Sequence, residues 1–395
     1  MTFGNIKNYS KMTNNSKNRN IAVFIGGKTN RYPVNAYLRL LSPLNELTEK
    51  YSITIIDDSS FKQFLTDLKR NNVVLDTIIF QRDHFGKLTL DLSFIKSLFD
   101  EIKKNDIKII YDLDDDLLNI EKDHRDYERY SKLHDVFKYI INNSDVVTVS
   151  TQYLKTQLVQ YNNNIRIVPN VLMKLWDFNP NKKIKNLNSS KTIKIGYFGS
   201  ITHGGDIQLL ENAISAVKYH FKNKQVIFEI VGGCHENHDW INRINLPYSY
   251  GVKSTFKNKL MNVLAYFLNE FSILRVNLPY SSFIPFMKNE IDWDIGLAPL
   301  EDTSINRSKS NLKYLEYTAL NVPGVYSNVG PYQEITNKKT GVVVNNSEEW
   351  GEAIITLIED NELYETILKN AYSDINDNYL VENAALIWDG ILNNF

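Results

Sequence analysis

From Asn306 to Glu316 the chain reads NRSKSNLKYLE, which sets two lysines, Lys309 and Lys313, close to one carboxylate, Glu316. At about 100° per residue the three fall within roughly 60° of one another on a helix, with Leu312, Leu315 and Ala319 on a neighbouring apolar stripe. Two ammonium groups beside a helix N-terminus, where backbone N–H groups also point outward, suit a diphosphate. A carboxylate further along suits the diol of a ribose. Ser308 or Ser310 can cap this helix, and Pro323 with Gly324 should end it. The same spacing also fits a solvent-exposed i,i+3 pair of Lys313 and Glu316 that contributes little.

Three other groups of residues could do chemistry. The loop GSITHGG follows a strand ending at Phe198, and its Gly199, Ser200, Gly204 and Gly205 would let backbone approach a ligand. It sits where open parallel sheets bind ligands, at the carboxyl end of a strand, although a plain strand-to-helix turn fits equally well. In YDLDDDLL, the carboxylates Asp112, Asp114, Asp115 and Asp116 follow a buried strand. Crowded carboxylates raise one another's pKa values, which suits a general base or a hydroxyl-binding group, with Asp115 and Asp116 as the catalytic candidates. An oxygen-only Mg²⁺ site and a solvated acidic turn are the competing readings. Gly26, Gly27, Arg82, Asp112 and His124 are acceptor-side candidates; Arg39, on the first helix, is a further cleft candidate, and both arginines fit a structural role better than a catalytic one. Lone histidines such as His124 and His203 are more often satisfied polar groups than catalysts, and no spacing suggests a metal triad. Walker, G-x-S-x-G and G-x-G-x-x-G motifs are absent from the sequence, which removes most support for hydrolase and dehydrogenase chemistry.

The elements that must position these residues alternate between short apolar strands and helices, the pattern of parallel α/β layers. Strands are expected at 21–25, 52–56, 77–81, 107–111, 146–149 and 166–168, with helices around 92–104 and 127–142. A second alternation has strands at 193–198, 226–231, 276–278, 294–297 and 324–327, helices at 206–221 and before Pro323, and a final helix from Glu348. The expected organisation is a disordered arm at 1–20, a Rossmann-like domain at 21–170, a linker at 171–190, a second such domain at 191–372, and a tail at 373–395. The apolar segment at 256–275 reads as a helix. An interfacial helix giving peripheral membrane contact through 257–275 is one reading, and a packed helix or oligomer contact is the other, favoured by its few basic residues.

The string WDIGLAPL followed by NRSKSNLKYLEYTALNVPGVYS resembles the donor-site signature of GT-B glycosyltransferases, close to the large retaining family (glycosyltransferase group 1, family 4-like). That family's E-x7-E motif uses its second glutamate for the nucleotide ribose, and Glu316 matches that position. Ser308 stands at the first. The residues resemble a variant N-R-x-K-S-x-x-K-x-x-E, with Asn306, Arg307, Lys309, Ser310, Lys313 and Glu316 in its places. The resemblance implies two Rossmann-like doubly wound domains facing a cleft. The C-terminal half would bind a nucleotide-diphosphate sugar, the N-terminal half a glycan or lipid-linked acceptor, and the tail helix would cross back to the N-terminal domain. It implies glycosyl transfer in bacterial surface polysaccharide or glycoconjugate assembly, catalysis by Lys309 and Lys313, and no required metal or other cofactor. A GT-B nucleotide-sugar epimerase and a non-catalytic subunit that binds a partner transferase are the alternatives.

Composition fits this reading. The 395 residues suffice for two cores, and 45 basic against 46 acidic residues give a net charge of −1, so no global field draws the chain to nucleic acid. The single cysteine, Cys234, excludes an intrachain disulfide, and no apolar run reaches the roughly 18 residues of a spanning helix. A cytoplasmic location, with or without peripheral contact at the inner face of the cell membrane, is expected.

Overall fold

Runs of β-branched and aromatic residues such as TIIFQ and VVTV are buried along their whole length, as strands of a parallel sheet covered on both faces must be. The computed structural model describes residues 6–9, 18–27, 32–85, 90–122, 124, 126–181, 184–199, 204–232, 250–251, 272–275 and 278–394. The chain forms two units.

Unit 1 comprises Met1–Met173, Thr303–Ser310 and Tyr379–Phe395. Its strands are β1 (Lys7–Asn8), β2 (Arg19–Phe24), β3 (Tyr51–Ile56), β4 (Thr77–Gln81), β5 (Lys108–Leu113), β6 (Val146–Val149) and β7 (Ile165–Ile167). All pair in parallel, in the order β1-β3-β2-β4-β5-β6-β7. The Leu92–Lys104 helix starts where the Asp91 side chain accepts the Phe94 N–H at 2.8 Å, a standard N-cap. It buries Ile95, Leu98, Phe99 and Ile102 in a core with the rings of Phe24, Phe80 and Phe85. The Val381–Asn393 helix is fastened to this unit by the Trp388 indole, which donates to the Arg39 carbonyl at 2.9 Å, and by Asp389, which accepts from Lys50 and Tyr51.

Unit 2 comprises Lys174–Asp302 and Asn311–Asn378. Its strands are β8 (Thr192–Gly199), β9 (Gln225–Gly232), β10 (Tyr250–Gly251), β11 (Ser272–Arg275), β12 (Ile295–Ala298), β13 (Gly324–Ser327) and β14 (Val342–Val344), again all parallel, in the order β10-β11-β9-β8-β12-β13-β14. Ile195, Phe228, Leu297, Val325 and Val344 meet Trp350, Ile354 and Leu357 of the Glu349–Glu359 helix in its core.

Several expectations need correction. The 1–20 arm is ordered in part, because β1 pairs with β3 and Tyr9 is buried with its hydroxyl on Asp67 at 3.0 Å. The 171–190 stretch is not a free linker: Val171, Leu172 and Met173 are buried, Leu187 enters the second core, and Lys185 binds Asp294 at 2.8 Å. The strand expected at 276–278 is instead β11, registered on β9 with Ser272 opposite Glu229. That also removes the end of the helix expected at 256–275, the rest of which lies outside the described residues. Among the described residues, no helix is long and apolar enough to cross a membrane. The helix after 348 is three, Glu349–Glu359, Asn361–Asn378 and Val381–Asn393, and the chain returns to unit 1 at Tyr379 rather than 373.

Candidate functional site

The NRSKSNLKYLE segment is not one helix. A short helix, Ser304–Ser308, is capped by Thr303, whose side chain accepts the Asn306 N–H. Lys309 then turns extended at ψ 162°, and a second helix spans Leu312–Ala319. Neither Ser308 nor Ser310 caps it; Asn311 stands at its N-cap. The break is imposed from elsewhere in unit 1. The buried Ser308 hydroxyl accepts the Asp116 N–H at 3.0 Å and donates to the Ile305 carbonyl, while Asn170 donates to the Ser310 hydroxyl at 2.7 Å. Ser304 bonds Glu121 through both its N–H and its hydroxyl. Asn306, Arg307, Lys309 and Ser310 therefore belong to unit 1 and Lys313 and Glu316 to unit 2. The shared helical face expected for Lys309, Lys313 and Glu316 does not form.

Within unit 2, Lys313 and Glu316 remain one turn apart. The Lys313 ammonium stands 5.3 Å from the centroid of the Tyr197 ring and 5.9 Å from that of Phe198, at the carboxyl end of β8. Glu316 is 1% exposed, so the solvated surface pair is ruled out. Its Oε1 accepts the Tyr280 hydroxyl at 2.5 Å, in the range of charge-assisted O–H···O bonds. Burial pushes the Glu316 carboxyl up to about 7, opposed by the Tyr280 hydrogen bond and the Lys313 charge. This is a carboxylate poised between charge states beside a cation and the first turn of a helix, a set of groups able to take a diol and an anion.

The glycines at the end of β8 and β9 serve packing. A Cβ on Gly199 would lie 2.4 Å from the Tyr197 hydroxyl, and one on Gly232, at φ 126°, would lie 2.0 Å from the Gly199 carbonyl. Gly232 is therefore required by the Gly199 carbonyl on the neighbouring strand, while Gly199 leaves room for the end of the Tyr197 side chain. The Tyr197 hydroxyl itself is buried without a hydrogen-bond partner among the described residues. Gly204 and Gly205 open the Gly204–Gln208 helix; Ser200 and His203 lie outside the described residues.

The acidic run of unit 1 divides by role. Asp112 is fully buried, gripped by Arg39 (Nη2 to Oδ1 2.6 Å, Nε to Oδ2 2.9 Å), Gln81 and Thr148. It holds the scaffold and is not placed to meet an acceptor. Asp116 accepts the Leu118 and Asn119 N–H groups and the Asn119 amide, so it closes its own turn; burial raises its pKa, opposed by those bonds. Its carboxylate has no geometry for catalysis. Asp114 and Asp115 flank Arg82, at 3.3 and 2.9 Å. Arg82 holds a left-handed φ of 49°, a conformation that costs a non-glycine residue on the order of 1–3 kcal/mol. His124 accepts the Asp126 N–H and caps a turn. Gly27, at φ 93°, exchanges bonds with Asp58, and a Cβ on Gly26 would lie 2.5 Å from His84 Nδ1.

Sequence reasoning missed His84 and Tyr280. His84 lies against Gly26, and burial lowers its pKa while the adjacent Asp83 works to raise it. No motif marks either residue, and Tyr280 is 36 positions from Glu316 in sequence.

No family model matches the chain, and no curated protein does. Solved structures do. HepE of Anabaena, in complex with UDP and glucose, superposes with a TM-score of 0.63 at 13% identity, covering 95% of this chain and 100% of that one. An E. coli trehalose-6-phosphate structure bound with UDP-2-fluoro glucose gives 0.59 at 11% identity, over 95% of this chain and 99% of that one. S. aureus TarM, in complex with fondaparinux, α-GlcNAc-glycerol and UDP, gives 0.54 at 15% identity, over 80% and 55%. The chain has the GT-B fold. Each of its two parallel sheets belongs to one Rossmann-like unit of that GT-B architecture, and Lys313 and Glu316 lie on a helix of the second unit.

Proposed function

We propose that the chain is a glycosyltransferase that takes a sugar from a nucleoside-diphosphate sugar, with UDP as the carrier. It delivers that sugar to a glycan or lipid-linked acceptor in bacterial surface polysaccharide or glycoconjugate assembly, in the cytoplasm. The observation that carries this is the pairing on one helix of a cation, Lys313, with a buried and marginally ionised carboxylate, Glu316, in a GT-B fold. UDP or a UDP-sugar in the structures of like fold supports the choice of carrier. As the bond from the sugar to the diphosphate lengthens, negative charge grows on the leaving group. Lys313 and the N–H groups that open the Leu312–Ala319 helix would neutralise it. Glu316 would take the ribose hydroxyls. Gly204 and Gly205 are further donor-side candidates. On unit 1, Arg82, Asp114 and Asp115 form a charged group suited to acceptor hydroxyls, with Asp115 as the candidate base; His84 follows Arg82 by two residues, Gly26 lies against His84, and Gly27 is a further candidate. Lys309 is a second candidate phosphate ligand, tested separately by Lys309→Ala.

A thermal-shift screen against UDP, GDP, CDP and dTDP tests the reading. Ligand at 100 Kd should add about 2.7 kcal/mol of stability, with UDP the largest shift. No shift with any of the four overturns it. Turnover is expected to be the same in EDTA as in Mg²⁺.

A further inference from the structure

Tyr280 opens the Tyr280–Glu290 helix directly after Pro279, and its ring stacks near Phe283, with centroids 6.3 Å apart and an interplanar angle of 17°. It is 36 positions from Glu316 in sequence, yet its hydroxyl is the one group seen to hydrogen-bond the Glu316 carboxylate among the described residues. The titratable and charged groups that act on Glu316 come from three elements. Lys313 precedes it by one turn, Tyr280 faces it from its own helix, and Tyr332 couples to it from the Gly330–Glu334 turn. A carboxylate has about four acceptor sites, so one hydroxyl on Oε1 leaves acceptor capacity on Oε2.

We propose that Tyr280 is a positioning residue for nucleotide recognition: its hydroxyl holds one oxygen of Glu316 and turns the other toward the vicinal diol of a ribose. This rests on the nucleotide reading above and adds to it the group that orients the carboxylate. A diol is best bound by the ionised form, which accepts from both hydroxyls. With Glu316 at about 7, affinity for the ribose should fall as pH drops through neutrality. Removing the Tyr280 hydroxyl takes away a bond that favours the charged form, so the midpoint must move to higher pH.

The experiment measures UDP-glucose binding by isothermal titration from pH 6 to 9 for wild type, Tyr280→Phe, Glu316→Gln and the double variant. UDP-glucose serves because its phosphates do not titrate in that range. Wild type should weaken below about pH 7. Tyr280→Phe should bind roughly tenfold more weakly at pH 7 and recover part of that loss at pH 9. Glu316→Gln should bind weakly without pH dependence, and adding Tyr280→Phe should change nothing further. A Tyr280→Phe profile with the wild-type midpoint and affinity overturns the proposal. So does a loss uniform in pH with a lower melting temperature, which marks Tyr280 as packing. If wild type itself does not bind UDP-glucose at any pH, the underlying UDP-sugar reading fails first, and that result is distinct because it precedes any variant.

Discussion

Two buried carboxylates, one in each unit, are treated very differently. Asp112 meets a guanidinium in bidentate contact, an amide and a hydroxyl, and the guanidinium spends its remaining donors on the Val168 carbonyl and Asn170. Among the described residues Glu316 meets one neutral hydroxyl, that of Tyr280, and the charge of Lys313, whose ammonium lies over the Tyr197 and Phe198 rings. Full compensation fixes a charge in place; partial compensation leaves a group whose protonation responds to what binds it. The first is how the fold joins β4, β5 and β6 to the Ala36–Leu41 turn that carries Arg39. The second is what a binding site needs.

The sharpest way to break this comparison is to unbalance the compensated pair. Arg39→Ala leaves Asp112 buried without its cation and should cost about 3–5 kcal/mol in denaturant unfolding. A loss under about 1 kcal/mol would mean the pair is not the anchor it looks to be. Next comes Glu316, with the opposite sign. Its folded pKa of about 7 lies above the ordinary 4.5, so between those values the folded protein keeps a proton that the unfolded chain has released. Stability therefore falls as pH rises through that window and is lowest above it, by on the order of 3 kcal/mol. Glu316→Gln should abolish the slope and melt higher than wild type at pH 8, while UDP affinity drops by roughly 1.5–3 kcal/mol. Melting curves from pH 4.5 to 8 that run parallel for the two proteins would refute this.

A third kind of buried polar group, the Tyr197 hydroxyl, which has no hydrogen-bond partner among the described residues, extends the series downward. Gly199→Ala drives a methyl into that hydroxyl and should cost about 1–3 kcal/mol, with part of the loss regained when Tyr197→Phe is added. The smallest effect is Tyr197→Phe alone. Because the hydroxyl leaves no bond behind, chemical denaturation should find the variant within about 0.5 kcal/mol of wild type or more stable. A clear destabilisation would reveal a partner for it.

Much of the fold was legible because parallel strands write themselves as short β-branched runs between turn residues. The strands at Thr77–Gln81, Val146–Val149 and Gly324–Ser327 and the Leu92–Lys104 helix have the bounds their sequence suggests. β11 was displaced because SILRVNL carries apolar residues on both sides of Arg275, at Ile273, Leu274, Val276 and Leu278, and contains no glycine or proline that fixes where a strand stops. The candidate site was legible in its residue types and less so in its geometry. Apolar spacing at Leu312, Leu315 and Ala319 gives no warning of a break at Lys309, because that break is made by Asp116 and Asn170, both more than a hundred residues away. The same holds for Asp112 and Asp116: four positions apart in one run of carboxylates, they are told apart by which distant or local donors reach them.

The eight residues Thr303–Ser310 belong to unit 1, although the chain on both sides of them builds unit 2. The polypeptide thus changes units four times, after Met173, Asp302, Ser310 and Asn378. Recombination usually exchanges contiguous stretches, and here no single crossover point delivers an intact half. A chimera joined at residue 173 would inherit a foreign 303–310 strip, setting a borrowed Ile305 into a core shaped for another side chain and asking an unmatched residue to meet the Asp116 amide. A chimera that moves 303–310 and 379–395 together with 1–173 keeps each unit whole, which a single joint cannot do.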